Sequence, residues 1–146
     1  MNERQSLFIF LLPLIFFISF SLTSCREGEE VISKPDEFTH VYDASEDKLL
    51  QAIAQVFKEK GFGTAAINQD KNEVESAYLI QGDWRTRGVA RVKKINWKEC
   101  EVVLSVITEK RVSKGWEMRR LLGEKQYDTF FDAIELQLYQ EMYKVK

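Results

Sequence analysis

Two cysteines and one histidine are the side chains of this sequence best suited to covalent chemistry. Cys100 stands between Glu99 and Glu101, and a cysteine brought beside His40 could act as a nucleophile. The two neighbouring carboxylates would raise the pKa of the thiol, however, whereas a reactive cysteine needs a lowered pKa. The residues around Cys100 and His40 show no pattern of an oxyanion site. We therefore interpret Cys100 as a core thiol and expect no enzyme activity.

Metal chemistry and acid–base chemistry also lack a matching pattern. One histidine and one thiol beyond the N-terminal region cannot supply the ligand spacing of a standard metal cluster. Asp128, Asp132 and Glu135 recur at helical spacing, which is typical of the solvated face of a helix opposite an apolar stripe. The sequence therefore predicts no metal and no dissociable cofactor.

The other cysteine, Cys25, ends an apolar N-terminal stretch. Met1–Gln5 is polar and carries Arg4, and residues 7–22 are almost wholly apolar, which is the layout of a signal peptide. This run of about 16 residues is shorter than the roughly 20 of a membrane-spanning helix. Leu22-Thr23-Ser24-Cys25 resembles the lipobox of bacterial lipoproteins. The resemblance implies cleavage before Cys25, which would carry a covalent diacylglycerol and fatty acid as a membrane anchor.

The same resemblance predicts a location. Arg26 stands where the inner-membrane retention signal of enteric bacteria has Asp. We therefore expect a protein of the cell envelope, tethered to a membrane surface and, if the host has two membranes, facing the periplasm from the outer one. We expect no nucleic-acid partner, because the signal sequence removes the protein from the cytoplasm. Residues 25–37 are mostly polar and predict a flexible tether between the signal peptide, residues 1–24, and a domain at residues 38–146.

The domain begins with a short strand and a helix. The 146 residues, 45% apolar and with two prolines, fit one compact domain plus such appendages. An alternating segment at 38–42 predicts the strand, and apolar residues from Leu49 to Phe57 follow helical spacing. Asp43 or Ser45 supplies a candidate N-cap oxygen, and Gly61 with Phe62 predicts a Schellman-like end in which Phe62 folds back on Phe57.

An antiparallel meander and a final helix complete the predicted domain. Apolar stretches at 65–67, 74–80, 89–95 and 102–106 predict the meander, with turns at 68–72 and 96–99. The last helix carries one apolar stripe of Tyr127, Phe130, Phe131, Ile134, Leu138 and Met142. The predicted fold is an α+β domain of order β-α-β-β-β-α, in which an antiparallel sheet packs both helices on one face.

Several local features of this domain resemble the helix-grip domains of accessory outer-membrane-assembly lipoproteins. They are Tyr42-Asp43 before the helix, Gly61-Phe62 after it, Asp70 in a turn, and the strand from Glu73 that runs toward Trp84. The resemblance implies a non-enzymatic scaffold role in the periplasm. That family usually has two such domains after a long gripping segment, whereas this chain has one domain and a short tether. The same shape also allows a pocket between helix and sheet for an apolar ligand.

Charge patterning predicts a binding surface. From Arg85 to Arg120 there are eleven Lys and Arg against four Glu, a net charge of +7 in a chain of net charge −2. All three tryptophans lie in or beside this region, and Trp and Arg are frequent hot-spot residues. We therefore predict a partner-binding patch, which consists of Trp116, Arg119, Arg120, Arg85 and Arg87. The alternative is that these charges pair across strands and with acids elsewhere in the chain.

These observations favour a lipid-anchored envelope protein that binds another envelope protein or an anionic envelope component. It would act as a scaffold or an accessory of envelope or outer-membrane assembly. The alternative is a carrier or sensor of an apolar ligand held between helix and sheet.

Overall fold

The computed structural model describes residues 29–144, so the lipobox and Cys25 lie outside the described part of the chain. The strands are β1 (Glu30–Val31), β2 (Phe38–Tyr42), β3 (Ala65–Asn68), β4 (Glu73–Ser76), β5 (Leu79–Gln81), β6 (Trp84–Lys94), β7 (Cys100–Val112) and β8 (Gly115–Arg120). The helices are α1 (Glu46–Phe57), which a π-helical turn at Lys58–Phe62 extends, and α2 (Glu124–Tyr143). The predicted α+β class is confirmed.

All eight strands belong to one antiparallel sheet. Its main order is β1-β8-β7-β6-β4-β3. β2 pairs with the first part of β7 and β5 with the first part of β6, so the β6–β7 hairpin is the centre of the sheet. Asn96 shapes the turn of this hairpin, because its Oδ1 accepts hydrogen bonds from the N–H groups of Lys98 and Glu99. The predicted turn at 96–99 is therefore confirmed.

The core lies between one face of the sheet and both helices. Residues with at most 1% exposure are Leu49, Leu50, Ala52, Ile53, Val56 and Phe57 of α1, Tyr127 and Ile134 of α2, and Val74, Ala90, Val102 and Leu104 of the sheet. The ring of Phe57 contacts the sheet at Gly88, and the ring of Tyr127 stacks on Phe38 at 4.2 Å. Phe38 pairs with Leu104, which pairs with Ala90, and Gly88 lies two residues before Ala90 in β6. Residues that pair across strands, or that lie two apart in one strand, share a face of the sheet. Both contacts therefore lie on the same face.

The two ends of α1 differ in how well the sequence predicts them. The C-terminal end follows the prediction, since Gly61 has a φ of 88° and the ring of Phe62 meets that of Phe57 at 5.9 Å. At the N-terminal end, Ser45 is the N-cap residue but its side chain makes no capping hydrogen bond. Glu46 accepts a hydrogen bond from Asn72 at 3.0 Å instead, which joins α1 to the β3–β4 turn. The predicted capping bond is wrong.

Three further predictions about elements need correction. The strand predicted at 74–80 is two strands, β4 and β5, with Tyr78 between them. Trp116 belongs to β8, a strand that pairs with β7 and that is absent from the predicted order β-α-β-β-β-α. Met142, predicted to lie on the core stripe of α2, is 61% exposed because it lies beyond Leu138, the last residue of the helix that is buried.

The segment before β2 also differs from the prediction of a flexible tether. Glu30 and Val31 form β1, which pairs with Arg120 and Arg119 at the edge of β8. The N–H of Ile32 donates a hydrogen bond to Met118 at 3.1 Å. The described part of this segment is therefore attached to the sheet. Within residues 29–144, no helix is both long enough and apolar enough to cross a membrane.

Candidate functional site

Arg85 and Arg87 lie on the face of the sheet opposite the helices. Along β6, Gly88 and Ala90 face the core, and Ala90 is fully buried. Strand side chains alternate between the two faces, so the odd-numbered residues of β6 point away from the helices. Glu109 of β7 pairs with Arg85 and so shares this outer face, as does Arg111 two residues later. Trp116 of β8 pairs with Arg111 and therefore also lies on the outer face. The register thus gathers side chains from β6, β7 and β8.

Arg85 is the centre of this group. Its guanidinium carbon lies 4.6 Å from the ring centroid of Tyr78 and 4.3 Å from that of Trp116. Its Nε donates to Glu109 Oε2 at 2.6 Å, and this hydrogen bond is the main reason why the pKa of Arg85 is above its ordinary value. A guanidinium between two rings has cation–π attraction on both sides. Glu109 and the two rings therefore fix Arg85 in one position.

Two more arginines extend the group. Arg87 lies 5.0 Å from the ring of Tyr78 and pairs with Glu75 of β4. Arg111 lies 5.0 Å from the ring of Trp116, and within the described residues it makes no ion pair. We call Tyr78, Arg85, Arg87, Arg111 and Trp116 the ring–guanidinium cluster. The sequence predicted three of its members and missed Tyr78 and Arg111, because only the register of β4 to β8 brings these two residues to the others.

Arg119 and Arg120 lie outside this cluster. Arg119 faces the opposite side of β8 from Trp116, where it pairs with Glu117 and contacts the carbonyl oxygen of Glu29 at 3.4 Å. Arg120 donates two hydrogen bonds to Asp36, at 2.7 and 2.9 Å, and also pairs with Glu30. These carboxylates, Asp36 first, raise the pKa of Arg120. The two arginines thus hold the segment before β2 on the sheet, and the predicted five-residue patch is not contiguous.

Most of the basic excess of residues 85–120 has acidic partners. Further pairs, besides those named above, are Arg91 with Glu73 and Glu37, Lys93 with Glu101, Lys98 with Asp43, and Lys110 with Glu29. The structure therefore supports the alternative that charges pair across strands and with acids elsewhere. An ion pair between exposed groups contributes little to stability, about 0–1 kcal/mol. Its effect here is to reduce the positive potential of the surface.

The nucleophile candidate is buried. Cys100 is 2% exposed, and burial raises the pKa of its thiol. His40 stands two register positions away from it, opposite Val102, and its ring stacks on Phe131 at 5.3 Å. A protonated thiol enclosed in the core is neither accessible nor activated. The interpretation of Cys100 as a core thiol is therefore confirmed.

The interface between helices and sheet is filled by side chains. The positions that would line a pocket for an apolar ligand, among them Leu49, Ile53 and Ile134, are fully buried and belong to one packed cluster. Clefts of the described residues lie at the surface instead, such as one of about 570 Å³ beside the β3–β4 turn. A carrier function would require a ligand to displace core side chains. This packing does not favour the predicted pocket between helix and sheet among the described residues.

The described residues contain no group of three or more His, Cys, Asp or Glu side chains arranged to hold a metal ion. What the outer face offers instead is aromatic rings and guanidinium groups at fixed positions, which suits contact with a partner. No protein-family model matches the chain, and no curated protein matches its sequence.

Proposed function

We propose that this chain is a lipid-anchored, non-enzymatic binding module of the cell envelope. The anchor would be the diacylglycerol and fatty acid on Cys25, because residues 22–25 resemble a lipobox. In a host with two membranes the module would face the periplasm from the outer membrane, given Arg26 after the lipidated cysteine. The described residues begin at Glu29, four positions after Cys25, so they would lie close to the membrane surface.

The observation that carries the binding function is the ring–guanidinium cluster on the uncovered face of the sheet. Neither helix packs on this face, and Tyr78 is 38% exposed there. Trp, Tyr and Arg are the residue types most enriched in interface hot spots. Arg85 is held between two rings, so little conformational entropy remains to be lost when a partner binds.

A protein is the partner that this cluster fits best. Arg85 and Arg87 have Glu109 and Glu75 as counter-charges, so recognition would depend on ring contacts and hydrogen bonds more than on net charge. Arg111 adds one cation without an acidic partner among the described residues, which suits a carboxylate on the partner. The module would therefore act as a scaffold or accessory of envelope assembly by holding another envelope protein near the membrane.

The test is capture of partners from the protein's own membranes. Full-length protein is purified in mild detergent beside a Trp116→Ala variant, and bound proteins are identified by mass spectrometry. Loss of a hot-spot side chain costs about 2 kcal/mol or more, so we expect recovery of the specific partner to fall at least about tenfold. Cys25→Ala is examined in parallel, and we expect it to lack the covalent lipid that the wild type carries.

Trp97→Ala is the matched control. Trp97 is 87% exposed in the β6–β7 turn, so its loss removes a tryptophan from the surface without touching the cluster. Equal capture by the wild type and by Trp97→Ala, with loss only in Trp116→Ala, supports the proposal. Equal capture by all three proteins would exclude the cluster as the binding site. Absence of the diacylglycerol and fatty acid from Cys25 of the wild-type protein, measured by mass spectrometry, would contradict the anchor separately.

A further inference from the structure

The outer edge of β8 is only partly paired. Ile32 donates its N–H to the carbonyl oxygen of Met118 at 3.1 Å, so the backbone groups of Met118 point toward β1. Because the direction of these groups alternates along a strand, those of Trp116 and Arg120 point the same way. β1 pairs with the last two residues of β8, and the chain then bends away from the sheet at residues 33–34. Among the described residues, the N–H and C=O of Trp116 therefore have no backbone partner.

Weak contacts hold residues 29–37, the segment that carries β1, on this edge. We call this segment the strap. None of its residues is buried, and Val31 of β1 is 52% exposed. A surface cleft of about 370 Å³ lies between the strap and Arg120. The ion pairs of Arg120 with Glu30 and Asp36 are partly open to water, and such pairs contribute little to stability. The strap therefore has few of the contacts that keep a segment closed.

We propose that the outer edge of β8 is the site where the partner adds an extended strand, and that the strap occupies this edge until the partner displaces it. This inference rests on the proposed binding function, because Trp116 belongs both to the edge and to the ring–guanidinium cluster. A partner strand that pairs with Trp116, Met118 and Arg120 has one more ladder position than β1 has, and each position can exchange two hydrogen bonds. Addition of a strand to a free sheet edge is a recurring mode of peptide recognition.

The charges of the edge favour an acidic partner segment. Both carboxylates that pair with Arg120 belong to the strap, as does Glu29, which pairs with Lys110. Release of the strap therefore removes these acids from Arg120 and Lys110. A strand that carries carboxylates would restore the lost pairs, whereas a basic strand would be repelled. The strap itself has this composition, with four acids and one lysine in residues 29–37.

A disulfide that holds the strap closed tests the inference. Val31 and Arg119 are register partners at a position without ladder hydrogen bonds, where Cα atoms lie about 4.5 Å apart. That separation allows a disulfide in the full chain with Val31→Cys and Arg119→Cys. Capture of the partner from the protein's own membranes is then compared before and after treatment with a reducing agent. We expect the reduced form to recover at least about ten times more of the specific partner, because the locked strap blocks ladder hydrogen bonds at Met118 and Arg120.

Glu30→Gln combined with Asp36→Asn tests the opposite direction. These substitutions keep the size of both side chains and remove the charges that hold the strap on Arg120. The strap then opens more often, so we expect capture to rise about threefold above that of the wild type. Val31→Cys alone is the matched control for the disulfide. It has no second cysteine at Arg119, so the reducing agent should leave its capture unchanged.

Two results would overturn the inference and leave the proposed function intact. Equal or stronger capture by the oxidised form would mean that the strap does not occupy the partner's site. Capture by Glu30→Gln with Asp36→Asn at or below the wild-type level would mean the same. In both cases Trp116→Ala still reports whether the ring–guanidinium cluster binds the partner. If the wild type captures no specific partner, the proposed function fails and the inference fails with it.

Discussion

The two faces of the β6–β7 hairpin have the same backbone and opposite side-chain surroundings. On the helix face, Gly88 leaves just enough room for the ring of Phe57, and Ala90 is fully buried. On the outer face, Arg85 and Glu109 pair across the strands with 25% and 15% of their side chains exposed. One face is closed by packing and the other by charge pairs that remain in contact with water.

This difference separates stability from recognition. Packed interiors tolerate little change in volume, so substitutions on the helix face should alter the free energy of unfolding. Ion pairs that water reaches contribute about 0–1 kcal/mol, so substitutions on the outer face should alter binding and leave the fold intact. The three predictions below test whether the two faces are independent in this way.

The largest expected effect is the protection of Cys100 on the helix face. In the full chain with Cys25→Ser, Cys100 is the only cysteine. Reaction of a core thiol requires opening of the domain, and domains of this size are stable by about 5–15 kcal/mol. We therefore expect a thiol reagent to label Cys100 at least about a thousand times more slowly than it labels the chain in urea.

The pH dependence sharpens this first prediction. Burial raises the pKa of the Cys100 thiol, so the folded chain holds this proton at pH values where the unfolded chain releases it. Stability should therefore decrease as the pH rises above about 8.5, the pKa of an unfolded cysteine. Lys71→Cys in the exposed β3–β4 turn is the control and should react at the rate of a free thiol. Fast labelling of both cysteines would mean that the helix face is open.

The second prediction concerns the space above Gly88. A Cβ at this position would lie 2.7 Å from two ring carbons of Phe57, and both groups are enclosed. Overpacking of a core costs about 1–3 kcal/mol, so we expect Gly88→Ala to destabilise the domain by about 2–3 kcal/mol in urea unfolding. Phe57→Leu in the same chain should recover part of this loss, because it removes the contacted ring. An effect below about 0.5 kcal/mol would show that the helix face is loosely packed.

The sequence predicts the helix face better than the outer face for a physical reason. The helix face depends on local signals, since the spacing of Leu49 to Phe57 and the glycine after Lys60 are sufficient to define α1 and its end. Burial then follows from hydrophobicity alone. Met142 is the exception, because it lies one turn beyond Leu138, the last buried residue of α2.

The outer face depends on pairings that local sequence does not encode. Charged residues occupy both faces of β8, so its sequence does not show the alternation of polar and apolar residues that is typical of a strand. The acids that pair with Arg120 lie 84 and 90 positions earlier in the chain. Tyr78 lies between two short strands, and only strand register brings it to Arg85. The sequence could thus predict the types of residue in the binding site, but it could not predict which of these residues come together there.

The smallest expected effect on stability is that of Glu109→Gln on the outer face. The substitution keeps the size of the side chain and removes the charge that pairs with Arg85. We expect the free energy of unfolding to change by less than about 1 kcal/mol, because solvent already screens the pair. Partner capture should decrease nevertheless, because Arg85 is then less firmly held between Tyr78 and Trp116.

The contrast between urea unfolding and capture decides what the outer face does. Thr39→Ala, a neutral change at an exposed position of β2, controls for general effects of substitution on the sheet. A loss of 2 kcal/mol or more in Glu109→Gln, roughly the value for a core cavity, would mean that the cluster belongs to the fold. Unchanged stability with reduced capture would instead show that the two faces have separate roles. The helix face of the hairpin would then stabilise the fold, and the outer face would bind the partner.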